Sequence, residues 1–356
     1  MADTQEKICV GVMGSGDIAP QYLKNMLASP FLKVKSISAR HFENAQKMAA
    51  EYGLEPTTNE EMLADPEIQV VLDLAPNMAH YELSMATIEA GKHIYSEKPL
   101  APNLDQALEI LEAANAKGLR VACAPDNILS PSLRAAKKLI DDDAIGRVMG
   151  IFAFMSHDLL RQMRKPIPFF YFQEGAGTRD LEPYPITPVV QLLGPAVRVC
   201  SSTPYLMRER DILFPGEGVK KAASEVPMHS SAIIDFANGT LATVIVTDDL
   251  WTSGLPGFEI YGEKGTISLY DQHKFMSRVR ICNKATGEWD EVPVPQDVPN
   301  GRGLGVENMA RALLFGEELV PSGALACHVV EIMDAIAESS KTGQHVTIHR
   351  TNGLLG

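Results

Sequence analysis

The chain has 356 residues, more than one ordinary hydrophobic core contains, and therefore predicts two domains. Hydrophobic residues make up 45% of it and charged residues 22%, as in globular proteins, and no apolar run reaches the roughly 20 residues that span a bilayer. The formal net charge of -13 argues against nucleic acid and anionic membranes as partners, because both repel an acidic protein.

Neither the cysteines nor the histidines are spaced as ligands or redox pairs. The five cysteines contain no CxxC pair, and the nine histidines show no metal-ligand spacing such as HExxH. Residues 1–7 are polar and do not resemble a secretory signal. We therefore expect reduced thiols, no metal site and a cytoplasmic location.

The first predicted element is a buried strand over residues 7–13 that runs into the motif Gly14-Ser15-Gly16-Asp17-Ile18-Ala19. This is GxGxxA between a strand and a helix. Gly14 would permit a tight turn, and Gly16 would let the backbone approach a pyrophosphate at the start of the helix. Residues 14–18 are therefore predicted to bind a dinucleotide, although a plain strand–helix turn can carry the same spacing.

A second strand is predicted over residues 31–39, where many NAD-binding proteins end with a carboxylate for the adenosine ribose. This chain has Ser38-Ala39-Arg40-His41 at that place. Arg40 could pair with the 2′-phosphate of NADP or stack on adenine, which favours NADP slightly. Tightly bound NAD stays open, and so does a solvated loop arginine.

A further strand, residues 68–74, ends in Ala75-Pro76-Asn77. Asn77 is predicted to cap a helix over residues 78–90 that has His80 in its first turn. Because they follow the carboxyl end of a strand, Pro76, Asn77 and His80 are also candidates for contact with the nicotinamide end of a cofactor.

The next strand, residues 91–95, leads into Ser96-Glu97-Lys98-Pro99. Pro99 restricts its own φ and favours extended geometry at Lys98, which would hold Lys98 at the sheet edge where open α/β folds bind ligands. A lysine held there can orient a substrate hydroxyl or help move its proton, and Glu97 joins the expected cofactor contacts. A surface lysine in a turn is the alternative interpretation.

Strand and helix patterns alternate up to residue 124 and predict a doubly wound parallel sheet over residues 1–124. After a helix over residues 131–140, a strand over residues 147–155 and an irregular aromatic stretch over residues 161–177, a helix begins near Asp180. If this turn is helical, Asp180 and Tyr184 share one face and can act together on the proton of an alcohol. A helix-dipole carboxylate and a packed tyrosine would give the same pattern.

The rest of residues 125–356 predicts an open, mostly antiparallel sheet. Period-2 stretches at residues 229–236 and 240–247 flank Asn238-Gly239, and a second pair lies at residues 258–261 and 266–270. Weaker strands and two helices, over residues 303–315 and 324–340, complete the domain, with His328 expected in the core. Such open faces associate, so we expect a homo-oligomer, a dimer or a tetramer.

Taken together, these motifs resemble the glucose-fructose oxidoreductase/inositol dehydrogenase (Gfo/Idh/MocA) family over essentially the whole chain. The resemblance rests on Gly14-Ser15-Gly16, Ala75-Pro76-Asn77 with His80, Ala90-Gly91-Lys92-His93, Glu97-Lys98-Pro99, Asp180 and Gly262-Glu263-Lys264-Gly265-Thr266. Arg302-Gly303-Leu304-Gly305-Val306 and Cys327-His328-Val329 are similar to one bacterial subgroup. The family implies an α/β protein with an N-terminal Rossmann domain and a C-terminal α+β domain for substrate and oligomerisation.

The family also implies hydride transfer between NAD or NADP and a secondary hydroxyl or ketone of a sugar, glycoside or cyclitol. It makes Lys98 catalytic, places Asp180 beside it, and puts Tyr184 where most members carry the acid/base histidine. The residues expected around the substrate are Lys98, Asp126, Asn127, His157, Arg179, Asp180 and Tyr184.

Departures from the subgroup pattern leave the substrate open. Arg179 stands where an apolar residue is usual, Glu182 stands where glycine is usual, and Pro185 and Pro188 replace better helix formers. Oxidation at C3 of a glucoside is one candidate reaction. Two other functions remain as alternatives: a redox-neutral glycosidase or lyase that uses tightly bound NAD transiently, and a non-catalytic dinucleotide-binding sensor.

Overall fold

The computed structural model describes residues 6–158, 176–206, 209–214, 216–270, 276–295 and 299–355. The chain divides into two compact units, Met1–Ser130 with Asp297–Val330 and Pro131–Gln296 with Glu331–Gly356. The sequence predicted that everything after residue 124 forms the second domain. The structure adds that residues 299–330 pack in the first unit; the boundary at 124 stays a prediction.

The first unit is built on a six-stranded parallel sheet with the order β3-β2-β1-β4-β5-β6. Its strands are β1 (Ile8–Met13), β2 (Leu32–Ser38), β3 (Glu55–Pro56), β4 (Val70–Asp73), β5 (His93–Ser96) and β6 (Val121–Cys123). The chain order reverses between β1 and β4. Open parallel sheets bind ligands at such a reversal, beyond the carboxyl ends of the strands.

Helices flank this sheet and bury its central strands β1 and β4 on both faces, whereas the edge strand β3 is exposed. The helices are α1 (Ala19–Ala28), α2 (Phe42–Tyr52), α3 (Asn59–Ala64), α4 (His80–Glu89) and α5 (Leu104–Ala116). Every residue of β1 is buried. The Asn103 side chain caps α5, because it accepts the Gln106 N–H at 3.0 Å.

The second unit contains α6 (Pro131–Asp141), α7 (Thr178–Leu181) and α8 (Pro183–Leu193), and a nine-stranded sheet. The strands of that sheet, from one edge to the other, are β16 (Trp289–Val292), β15 (Val279–Asn283), β14 (Gly265–Leu269), β13 (Phe258–Gly262), β7 (Val148–Asp158), β12 (Leu241–Leu250), β11 (His229–Phe236), β8 (Ala196–Ser202) and β17 (Val346–Thr347). Only β7 and β12 pair in parallel, so the predicted α/β class with a mostly antiparallel second sheet is confirmed. Both predicted hairpins form, with Ala232 opposite Val244 and Ile260 opposite Ile267.

Two helices lie between β16 and β17 in the chain: α9 (Leu304–Phe315), in the first unit, and α10 (Gly323–Thr342). His328 of α10 is fully buried, as predicted. A separate antiparallel pair, β9 (Glu209–Phe214) and β10 (Gly218–Ala223), was not predicted, and neither were β3, α3 and β8. The exposed strand β10 carries two lysines, and the buried positions of β9 include the charged Arg210, so no period-2 apolar signal marks either strand.

One face of the nine-stranded sheet carries exposed apolar side chains. Leu241, Tyr261 and Trp289 fall on one row across the strands, connected by the pairings of Leu241 with Gly150, Gly150 with Tyr261, Tyr261 with Thr266, Thr266 with Cys282, and Cys282 with Trp289. The exposed fractions are 47% for Leu241, 38% for Tyr261 and 41% for Trp289, and Ile233 on the same face is 49% exposed. This set is called the open-face row below.

Candidate active site

The glycine turn after β1 has the geometry that dinucleotide binding requires. Gly14 has φ +110°, and a Cβ there would lie 2.7 Å from the carbonyl carbon of Leu74, so the turn admits only glycine. A Cβ at Gly16 would meet nothing within 4 Å. The space over Gly16 is therefore open to a group that approaches the backbone closely.

The start of α1 offers donors to such a group. Its N-cap residue, Ile18, makes no side-chain cap hydrogen bond, and Pro20 occupies the first turn. In the described ranges, no acceptor takes the N–H groups of Gly16 and Asp17. Ser15 is half-buried and Asp17 is exposed. Open space, amide donors and a helix N-terminus together fit a pyrophosphate.

The carboxyl end of β2 lies beside this turn, because the Gly14 N–H donates to the Ser38 carbonyl at 2.9 Å. The buried Ser38 hydroxyl donates to Asn59 Oδ1 at 2.6 Å. Arg40 is exposed, and no carboxylate in the described ranges pairs with it. Arg40 thus stays a candidate for an adenosine phosphate.

The loop after β4 differs from the prediction at its cap. Asn77 opens a short 3-10 turn, Asn77–Ala79, so α4 begins at His80 and Asn77 does not cap it. His80 is 1% exposed; its Nδ1 lies 2.7 Å from the Pro99 carbonyl oxygen and its Nε2 lies 2.9 Å from the Ala75 carbonyl oxygen. Carbonyl oxygens only accept, so each contact is a hydrogen bond when that ring nitrogen carries the proton. His80 therefore links the loop of Pro76 to the turn after Lys98.

Asp73, the last residue of β4, is a buried carboxylate at the same sheet edge. Its Oδ1 accepts the Ala75 N–H at 2.9 Å, and its Oδ2 has no partner within the described part of the chain. Burial raises the pKa of Asp73, although His80 and the Ala75 amide oppose the shift. Asp73 was not a predicted site residue, because it lies within the predicted apolar strand over residues 68–74.

Glu97 and Lys98 follow β5 at this edge and are nearly buried, with 8% and 9% exposed. Glu97 Oε1 accepts the Tyr22 hydroxyl at 2.8 Å and Arg302 Nη1 at 2.9 Å, while Glu97 Oε2 accepts the Lys98 backbone N–H at 2.9 Å. Burial raises the pKa of Glu97, but the combined lowering by Arg302, Lys98 and the hydrogen bonds is larger, so this pKa lies below its usual value. Glu97 is a structural anion that fixes Lys98, and Tyr22 and Arg302 were not singled out from the sequence.

Asp126 lies in the 3-10 turn Asp126–Leu129 after β6 and is fully buried. Its carboxylate accepts the Tyr95 hydroxyl and the Gly303 N–H. Burial raises the pKa of Asp126 to about 6, against the lowering effect of Tyr95 and Arg302. Asn127 beside it is 1% exposed. Their expected substrate contacts stay predictions.

The second unit carries the remaining candidates. Glu182, between α7 and α8, has helical φ and ψ of -53° and -36°, so Asp180 and Tyr184 stand one helical turn apart on a common face. Tyr184 is 6% exposed and Asp180 is partly exposed. His157 belongs to β7, but its side chain lies outside the described residues.

Arg179 lies among carboxylates. Its Nη2 is 2.5 Å from Asp334 Oδ1 in α10. The positive charge of Arg179 also acts on the buried Glu182, which accepts hydrogen bonds from the Ser230 and Thr178 side chains. Burial raises the pKa of Glu182 despite Arg179. A guanidinium beside two carboxylates offers little net charge to an anionic ligand. In the described ranges, no group of three or more His, Cys, Asp or Glu side chains could hold a metal ion, and none of the helices there is long and apolar enough to cross a membrane.

A parallel sheet whose strand order reverses beside a glycine turn defines a Rossmann dinucleotide-binding unit. The sequence matches two family models, one described as an oxidoreductase family with an NAD-binding Rossmann fold over residues 8–124, the other as the GFO/IDH/MocA C-terminal domain over residues 133–268. The chain belongs to the GFO/IDH/MocA family of oxidoreductases. The predicted family and enzyme class are thereby confirmed.

Curated relatives include several sugar dehydrogenases. Levoglucosan dehydrogenase of Pseudarthrobacter phenanthrenivorans is 27% identical over 344 residues, covering 90% of this chain and 85% of that protein. D-xylose 1-dehydrogenase (NADP(+)) of Hypocrea jecorina is 27% identical over 373 residues, covering 94% and 91%. The solved structure of levoglucosan dehydrogenase with NADH and levoglucosan matches with a TM-score of 0.85 at 24% identity, covering 97% of this chain and all of that one, a likeness of fold.

Proposed function

We propose that this protein is an NAD(P)-dependent dehydrogenase or reductase acting on a secondary hydroxyl or ketone of a carbohydrate, glycoside or cyclitol. The observation that carries the proposal is one sheet edge with two features. It holds a turn at Gly14 and Gly16 that fits a pyrophosphate, and Lys98 fixed by its buried neighbour Glu97. When bound, the nicotinamide would accept or return the hydride.

In this proposal Lys98 orients the substrate hydroxyl and stabilises the charge that develops on its oxygen as the carbon–hydrogen bond breaks. Support comes from its backbone, because the Lys98 N–H is held by Glu97 and the Pro99 carbonyl is held by His80. A charge that is positioned in advance costs little reorganisation during the reaction.

Asp180 and Tyr184 are proposed to manage the hydroxyl proton together with Lys98. Their shared helical face supports this role, as does the tyrosine hydroxyl, which can both donate and accept a proton. The candidate contacts of Asp126, Asn127, His157 and Arg179 with the substrate remain part of the proposal, with Arg179 weakened by its pairing to Asp334.

The relatives support a proposed substrate class. Those named above act on levoglucosan and D-xylose, and a third, inositol 2-dehydrogenase/D-chiro-inositol 3-dehydrogenase of Lactiplantibacillus plantarum, is 33% identical over 143 residues, 39% of this chain. A neutral sugar or cyclitol is therefore the proposed class. Because no carboxylate ends β2 and Arg40 is exposed there, NADP is the proposed cofactor, with NAD as the competitor.

The deciding experiment incubates the purified protein with NAD⁺ or NADP⁺ and a panel of sugars, glycosides and inositols while absorbance is followed at 340 nm. Net NAD(P)H formation is expected, and Lys98→Met should lower turnover by about 10²- to 10⁴-fold while cofactor binding persists. Lys47→Met, on an exposed position of α2, is the matched control. Glycoside cleavage without net reduction would instead establish the redox-neutral enzyme. Dinucleotide binding without turnover in the wild type, with every measured function intact in Lys98→Met, would favour the sensor.

We also propose a homo-oligomer that buries the open-face row. Apolar side chains exposed on one face of several strands favour association over contact with water. The cytoplasmic location remains a prediction from the sequence.

A further inference from the structure

Arg302 lies 205 residues after Glu97 in the chain, yet its guanidinium contacts the carboxylate next to Lys98. The side chains of Arg302 and Glu97 are only 11% and 10% exposed. A charge pair so shielded from water is screened little by salt. It joins the segment before α9 to the turn that carries the candidate catalytic lysine.

The peptide group between Arg302 and Gly303 is held at both its carbonyl and its N–H. Asn25 Nδ2 of α1 donates to the Arg302 carbonyl at 2.7 Å, and the following N–H, of Gly303, donates to Asp126. Gly303 has φ +97°, and a Cβ there would lie 3.2 Å from the Tyr22 carbonyl oxygen. The guanidinium is therefore presented from a fixed backbone, not from a free loop.

Glu97 passes this constraint on to Lys98. One of its oxygens takes the two donors Tyr22 and Arg302, and the other takes the Lys98 backbone N–H. The Glu97 N–H donates in turn to the Asp73 carbonyl at 2.8 Å. With both oxygens engaged, Glu97 is fixed at side chain and backbone, directly before the lysine.

We propose that Arg302 is a positioning residue for Lys98, acting through Glu97 on the backbone from which the lysine side chain projects. The meaning of this role for catalysis rests on the proposed oxidoreductase function. Arg302 itself need not touch substrate or cofactor. Without it, the buried Glu97 carboxylate loses a neighbouring cation and one of its charge-assisted hydrogen bonds.

A pH effect follows, because Arg302 helps to keep Glu97 ionised. The titratable or charged groups that face Glu97 are Tyr22 from α1, Asp73 from β4, Lys98, Cys123 from β6, Asp126 and Arg302. Arg302 and Lys98 are the cations of this set. Removing Arg302 raises the pKa of Glu97, and a protonated Glu97 holds the Lys98 N–H more weakly, so the defect should deepen as pH falls.

The test compares Arg302→Met, Arg302→Lys and the double variant Glu97→Gln/Arg302→Met with the wild-type full chain. Residue-resolved hydrogen–deuterium exchange at the Lys98 amide, measured without cofactor or substrate, reports on the hydrogen bond from the Lys98 N–H to Glu97. Turnover, cofactor affinity and the pH dependence of kcat report whether this hydrogen bond matters for catalysis. Arg311→Met in α9 is the control, since Arg311 pairs with Glu317 at 39% exposure.

For Arg302→Met we expect exchange at the Lys98 amide to be at least about tenfold faster than in the wild type. One charge-assisted hydrogen bond corresponds to a factor of this size. We further expect a similar fall in kcat, near-constant cofactor affinity, and an acidic limb moved to higher pH. Arg302→Lys should recover part of the loss. In the double variant residue 97 carries no charge, so the acidic limb of the pH profile should no longer be shifted relative to the wild type.

Unchanged exchange at Lys98 in Arg302→Met, or equal loss of kcat and cofactor affinity with an unmoved pH profile, overturns the proposal. If Arg302→Met does not fold, the same readings on Arg302→Lys and the double variant decide. If exchange is faster in Arg302→Met but the wild type shows no oxidation or reduction of any substrate, the positioning role of Arg302 is supported and the proposed function is refuted.

Discussion

Gly305, in the first turn of α9, lies against the ring of Tyr95. A Cβ at position 305 would sit 2.6 Å from Cζ of that ring, a distance that real side chains do not reach. Tyr95 is itself completely buried and donates its hydroxyl to Asp126. The close approach of α9 to β5 thus depends on the absence of one side chain.

Gly305→Ala is expected to destabilise the protein by about 1–3 kcal/mol, because overpacking at Tyr95 outweighs the roughly 1 kcal/mol that alanine gains over glycine within a helix. Chemical denaturation measures the free energy of unfolding. Gly254→Ala serves as the control, because a Cβ at position 254 would meet nothing within 4 Å and its φ is not positive. Its free energy of unfolding should change little. A more stable Gly305→Ala variant would show that α9 packs less closely than described.

The glycine turn gives two variants with opposite signatures. Gly14→Ala should lower both stability and cofactor affinity, because φ is +110° and the Leu74 backbone is 2.7 Å from the new Cβ. Gly16→Ala should leave the melting temperature almost unchanged, since its Cβ meets nothing, but weaken dinucleotide binding at least about tenfold by keeping the pyrophosphate off the backbone. Calorimetric titration with NAD⁺ and NADP⁺ measures the affinity. Full affinity in Gly16→Ala would place the pyrophosphate elsewhere.

The strongest sequence predictions were those in which local chemistry has one structural solution. The strand, glycine turn and helix at Gly14 and the hairpin at Asn238-Gly239 form as predicted. Each depends on residues that are near neighbours in the chain. Predictions were weaker where a short element has little apolar pattern, as at β9 and β10, or where several prolines crowd a helix, as in α8.

The supports of Lys98 could not be found from the sequence, for a different reason. Tyr22 lies in the helix after the glycine turn with no motif around it, and Arg302 was predicted only as part of a subgroup motif. Their shared target, Glu97, is 75 and 205 residues away in the chain. Without a fold, nothing in one sequence brings a distant arginine and tyrosine to the same carboxylate oxygen.

Asp126 should make stability depend on pH. Its folded pKa of about 6 lies above the ordinary value of an aspartate, so the folded chain binds a proton more readily than the unfolded chain. Its contribution is therefore fully present at low pH and is lost as pH rises through about 6. Relative to Asp126→Asn, the wild type should gain roughly 1 kcal/mol between pH 7.5 and pH 5.

Urea unfolding of both proteins at several pH values measures this difference. Asp126→Asn should also cost about 1–3 kcal/mol at every pH, because the amide replaces one of the two accepting oxygens by an NH2 donor, which then faces the Tyr95 hydroxyl or the Gly303 N–H. Parallel pH curves for the two proteins would contradict the titration of Asp126.

Arg40 should decide between the two cofactors. Arg40→Ala is expected to lower affinity for NADP⁺ about tenfold and to leave NAD⁺ almost unaffected, since only NADP⁺ carries the 2′-phosphate. The control is Arg147→Ala, an exposed arginine of the second unit paired with Glu263. An equal loss for both cofactors would assign Arg40 to adenine stacking, and no loss for either would return it to the solvent.

The open-face row should hold the oligomer together. Ile233→Arg with Leu241→Arg places two charges on that face, and a buried, unpaired charge costs far more than an exposed one. The variant should sediment as a monomer of 38.8 kDa at concentrations where the wild type sediments as a dimer or tetramer. Leu255→Arg, at a loop residue that is 52% exposed outside this row, should leave the wild-type state intact. A wild type that remains monomeric at tens of micromolar would rule out the row as an interface, and dissociation by Leu255→Arg alone would move the interface to that loop.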